Sequence, residues 1–84
     1  MNSLSFPQFR RYKNIETYFK FESPELFEEI RRFGSKWIVE KHIVKILPDR
    51  NFVYDLLHDF SAFAEEISPE TYAEVWEKAT QNSR

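Results

Sequence analysis

Residues 23–46, SPELFEEIRRFGSKWIVEKHIVKI, admit two chain traces, and the choice between them sets the architecture of the whole protein. On the first trace the segment opens with a helix marked at both ends. Ser23 stands as N-cap, Pro24 takes the first helical position, Glu25 gives early negative charge, Arg31 and Arg32 come late, and Gly34 lies just past the end. Leu26, Phe27, Ile30 and Phe33 then form an inward stripe, and Glu28 pairs with Arg32 one turn on. Five β-branched residues between Trp37 and Ile46 favour a strand over 36–46, separated from the helix by Gly34-Ser35. On the second trace residues 27–33 are also extended and pair with 36–46 around Gly34, so that a hairpin replaces the helix. The terminal signals favour the first trace.

Outward from this segment the pattern is firmer. Ile15, Thr17, Phe19 and Phe21 alternate with Glu16, Tyr18, Lys20 and Glu22, the period of a half-buried strand. The short run Phe9–Tyr12 can pair back onto it through a two-residue Lys13-Asn14 loop, which would set Arg11 opposite Glu16. Beyond Pro48, the spacing of Phe52, Val53, Leu56, Leu57, Phe60, Phe63, Ala64 and Ile67 predicts a helix capped by Asp49. Ser68-Pro69 restarts the pattern as a last helix carrying Tyr72, Val75, Trp76 and Ala79. The expected fold class is α+β: an N-terminal β-hairpin and a third strand packed with two or three helices, in the order β-β-α-β-α-α. It forms a single small domain over residues 1–84, with 1–5 and 81–84 frayed.

Composition narrows the function. An 84-residue chain has material for one shared core and little to spare for a deep catalytic cavity. With no cysteine there is neither a disulfide framework nor a thiolate metal site, and with a single glycine neither a Walker loop nor a dinucleotide fingerprint. The N-terminus MNSLSFPQFRR lacks an apolar export segment, and no apolar run approaches the roughly 20 residues of a membrane helix. A soluble, cytoplasmic protein with no membrane partner is expected. The net charge of −2 conceals a polarity: residues 1–50 carry ten Lys/Arg against seven Asp/Glu, and residues 51–84 carry two against seven.

Candidate chemistry is sparse. His42 and His58 are the natural bases near neutrality, and His42 falls in a strand on the side of Ile38 and Val44, where a lone histidine is usually filler. Asp55, His58 and Asp59 share one helical flank and carry metal-ligand chemistry, but such a set needs ligands from a second element, and an exposed polar flank is the simpler reading. No catalytic residue, metal or cofactor is therefore assigned. What stands out is residues 5–21, SFPQFRRYKNIETYFKF, with six aromatic rings and four cations. Phe6, Phe9, Arg10, Arg11, Tyr12, Lys13 and Tyr18 are the candidate partner-binding residues, because aromatics and arginine carry interface energy and Pro7 suits an edge or arm. Arg10, Arg11 and Lys13 are expected to be exposed, with Phe19 and Phe21 buried.

The expected function is a non-catalytic protein–protein interaction module, with a weak homodimer among its assemblies. The alternative is a small nucleic-acid-binding protein using the basic aromatic hairpin, which has the cations and rings for single strands but neither the RRM string nor a basic net charge.

Overall fold

The second trace is the one the chain takes. In the computed structural model, which describes residues 5–45 and 47–81, the strands β1 (Gln8–Tyr12), β2 (Thr17–Ser23), β3 (Leu26–Phe33) and β4 (Lys36–Ile43) run as an antiparallel meander. Helix α1 (Leu47–His58), strand β5 (Ala64–Glu66) and helix α2 (Pro69–Gln81) complete the fold. The five strands lie in the order β4-β3-β2-β1-β5, with β5 antiparallel to β1. The α+β class stands, and the element order differs from the one expected.

The helix expected at 23–34 is replaced by β3, and the reason is tertiary. Ser23 does bond a downstream amide, since its Oγ accepts from the Glu25 N–H at 3.1 Å, but the bond closes the β2–β3 turn instead of opening a helix. The spacing of Leu26, Phe27, Ile30 and Phe33 suits either structure, and pairing on both sides decides it. Glu28 then stands between Lys20 and Lys41 on neighbouring strands, and Arg32 meets Glu16 at 3.6 Å instead of Glu28. At the β3–β4 turn, Gly34 takes φ 64°, the one described residue in the left-handed region.

Two further expectations are corrected. The β1–β2 loop comprises residues 13–16, so Arg11 faces Tyr18 and not Glu16. The shift is two residues, which keeps Phe19 and Phe21 inward but leaves Ile15 exposed in the loop. The long helix expected to reach Ile67 stops at His58, after which the chain turns and residues 64–66 pair with β1. There Arg10 and Arg11 lie opposite Glu66 and Glu65, an attraction that helical periodicity does not register. Helix α1 also starts at Leu47, ahead of the expected cap Asp49, whose side chain lies outside the described set, as do residues 1–4 and 82–84 of the expected frayed ends.

Both faces of the sheet are covered. Phe19, Phe21 and Phe27 pack beneath Val53, Leu56 and Leu57 of α1, while Phe9, Tyr18 and Ile30 on the opposite face pack against Tyr72, Val75 and Ala79 of α2. Ser68 caps α2 as expected, its Oγ accepting from the Thr71 N–H at 3.1 Å. No helix among the described residues is long and apolar enough to cross a membrane.

Candidate functional site

The N-terminal stretch is structural to a larger degree than its composition suggests. Phe9 and Tyr18 are buried, Phe9 against the Tyr72 ring at 5.3 Å, and Phe6 packs half-buried on the α1 side. Tyr12 meets Phe19 edge-on at 5.1 Å. Burial, and then the charge of Glu29, raises the Tyr12 phenol above its ordinary range.

Arg10, expected at the surface, is only 2 % exposed. Its Nε donates to the Leu56 carbonyl at 2.9 Å and its Nη2 to the Leu57 carbonyl at 3.4 Å, so the guanidinium caps the last turn of α1. Nη1 donates to the Phe9 carbonyl, Phe60 stacks 4.3 Å from the charge, and Glu66 lies 3.7 Å away. Burial lowers the arginine pKa and Glu66 partly offsets this. The buried charge is tolerable because every face of it meets an acceptor or a ring.

Of the remaining candidates, Arg11 is half-exposed with Glu65 at 3.6 Å, and Lys13 is exposed with its Nζ donating to the Ser61 carbonyl at 2.6 Å. Asp55 and His58 on α1 and Asp59 just past its end are exposed, and among the described residues their ligand atoms do not converge; His58 instead lies against Tyr54, ring centres 4.6 Å apart.

A polar cluster does form elsewhere, around the histidine read as filler. Glu29, Glu40 and His42 bring one ligand atom each within 4.8 Å, on neighbouring positions of β3 and β4. His42 Nε2 lies 3.2 Å from Glu29 Oε1, and the imidazole stacks on Phe27 at 4.9 Å. The set could offer a cation two carboxylates and an imidazole, but Arg31 already stands there. Its Nη2 donates to Glu40 at 3.0 Å, and its buried Nε, without a hydrogen-bond partner, lies 3.8 Å from Glu29. The arrangement is a polar network in which the Arg31 guanidinium eases the repulsion between Glu29 and Glu40, which face each other across β3 and β4. Sequence reasoning missed it because Glu29, Arg31, Glu40 and His42 converge only when β3 is a strand.

On the other face, Glu28 is buried and accepts a 2.8 Å hydrogen bond from the Tyr72 hydroxyl. Burial and this bond hold the phenol far above the usual tyrosine range. A cavity of about 340 Å³ beside them is lined by Lys20, Lys41 and Trp76 among others, with Glu28 already committed to Tyr72.

The three most exposed large apolar side chains described lie on or near the β3–β4 side of the sheet. Phe33 is 78 % exposed, Ile43 64 % and Ile15 60 %. Ile15, Phe33 and Ile38 line a groove of about 390 Å³ with Arg31 and Arg32. A second groove of about 310 Å³ joins Phe27, His42, Ile43 and Phe52. The two grooves flank the Glu29–Arg31–Glu40–His42 network, and β4, which bounds all three features, is an edge strand whose outer rim pairs with no described strand. None of the comparisons, with family models, curated proteins or solved structures, found a match to this chain.

Proposed function

We propose that this is a non-catalytic protein-binding module whose docking surface is the outer rim of β4 together with the two apolar grooves beside it. The observation that carries the reading is the coincidence of an eight-residue edge strand with Phe33, Ile43 and Ile15, the most exposed large apolar side chains described. A free strand rim offers backbone hydrogen bonds in register, and flanking apolar pockets give selectivity, which is the pattern of β-strand addition. The carboxylates nearby face Arg31, His42 lies within hydrogen-bonding distance of Glu29, and the buried Glu28 is bonded to Tyr72, which supports binding over turnover. Arginines that a nucleic acid would need are also engaged: Arg10 is buried, Arg11 lies beside Glu65, Arg31 beside Glu40 and Arg32 beside Glu16.

The test is affinity capture from the native host with nuclease treatment, comparing the wild-type chain with Phe33→Ser and Val39→Pro. Phe33→Ser removes an exposed ring, and Val39→Pro blunts the strand rim. The reading expects a protein whose capture survives nuclease and fails with either variant. Capture that nuclease abolishes, or that neither variant disturbs, would overturn it.

A further inference from the structure

The backbone pattern of β4 specifies which of its groups are free. Gly34-Ser35 is a two-residue turn with positive φ at its first position alone, the type II′ arrangement, in which the flanking Phe33 and Lys36 form a hydrogen-bonded pair. Alternation then turns the N–H and C=O groups of Lys36, Ile38, Glu40 and His42 toward β3. The Val44 N–H, in the same phase, donates to the Glu25 carbonyl at 2.7 Å, as this alternation requires. Trp37, Val39, Lys41 and Ile43 therefore present their backbone groups outward.

We infer that the occupant of this rim is a second copy of the chain, its β4 antiparallel to the first and centred on Ile38, so that two five-stranded sheets join into one. The inference rests on the reading of the β4 rim as a docking edge and names its partner. A two-fold axis perpendicular to the sheet keeps like faces together, so the pairing must centre on a residue and not between two. Centring on Glu40 or Lys41 sets like charges directly opposite each other. Centring on Val39 sets Ile38 against Glu40 and Lys36 against His42.

Centring on Ile38 places Lys36 opposite the partner's Glu40 twice over, Trp37 opposite the partner's Val39 twice over, and Ile38 against itself. This register uses the outward groups of Trp37 and Val39 for about four interchain hydrogen bonds. It also brings a cation to the open side of Glu40, whose closed side already faces Glu29. Half-buried Trp37 and Val39 become covered, and the groove lined by Ile15, Phe33 and Ile38 meets its copy in the partner at the axis. Charges on an edge strand commonly prevent pairing, but here Lys36 and Glu40 are spaced so that two copies satisfy each other. A pairing this short falls below the roughly 1,200 Å² of stable interfaces, so the dimer is weak and concentration-dependent.

The absence of cysteine gives a clean test on the purified full chain. Ile38→Cys places two thiols across a non-hydrogen-bonded pair, close enough to cross-link, whereas Ile43→Cys places them far apart. Mild oxidation should give disulfide dimer from Ile38→Cys and little from Ile43→Cys. Light scattering should show a dimer that Lys36→Glu weakens about tenfold and that Lys36→Glu/Glu40→Lys restores. A monomer at millimolar concentration, a dimer indifferent to Lys36→Glu, or equal cross-linking at both positions would overturn the inference. Such a failure is distinct from failure of the docking edge itself, which the capture experiment reads through a heterologous protein.

Discussion

The β1–β2 and β3–β4 hairpins draw on the same kinds of residue and meet opposite fates. In the first, Phe19 and Phe21 are fully buried and Arg10 is enclosed by the end of α1; in the second, Phe33 and Ile43 stand in solvent and the outer rim of β4 pairs with no described strand. The difference arises late in the chain. Residues 64–66 return to cover the edge of β1, while no described strand covers β4. Aromatic and cationic density therefore marks the closed half of the molecule, and the open half is marked by modest residues on an edge.

The largest expected effect is in the closed hairpin. Phe19→Ala removes a ring in contact with Tyr12, Phe21, Phe27 and Phe52, and should cost about 3–5 kcal/mol, enough to unfold much of so small a domain in a denaturant titration. Arg10→Met comes next, at about 2–4 kcal/mol, because it strips the α1 carbonyls of Leu56 and Leu57 of their buried donor. A loss for Arg10→Met no larger than that for Arg11→Ala would erase the distinction between the two arginines.

Tyr72→Phe should cost about 1.5–3 kcal/mol by removing the hydrogen bond to Glu28. It also carries a pH signature. Because the folded-state pKa values of Tyr72 and Tyr12 are raised, the unfolded chain loses these protons first. Stability from this source is fully present below about pH 10 and falls as pH rises above it. Tyr72→Phe should flatten that alkaline fall, as read from thermal unfolding between pH 8 and pH 11. At the small end, Phe33→Ser in the open hairpin should change stability by less than about 0.5 kcal/mol.

The same contrast explains how much of the fold is legible in the chain. Phe19 and Phe21 are legible because strict alternation with polar residues leaves one face for the core, and Ser68-Pro69 is legible because capping chemistry is local. Residues 23–34 are not, since Ser23-Pro24 and Gly34 punctuate a turn as readily as a helix end, and only pairing with β2 and β4 separates the two. The roles of Arg10 and of the Glu29–Arg31–Glu40–His42 network depend on contacts across strands or with a distant helix end. No spacing rule along the chain carries them.

The most direct test of the open rim is amide hydrogen exchange measured residue by residue at two protein concentrations. In dilute solution the amides of Trp37, Val39, Lys41 and Ile43 should exchange quickly, while those of Lys36, Ile38, Glu40 and His42, bonded to β3, should be protected. Raising the concentration should slow exchange at Trp37 and Val39 and leave Ile43, beyond the paired stretch, unchanged. Uniform protection along β4 in dilute solution would contradict the open rim, and concentration-independent exchange at Trp37 and Val39 would contradict its pairing with a second copy.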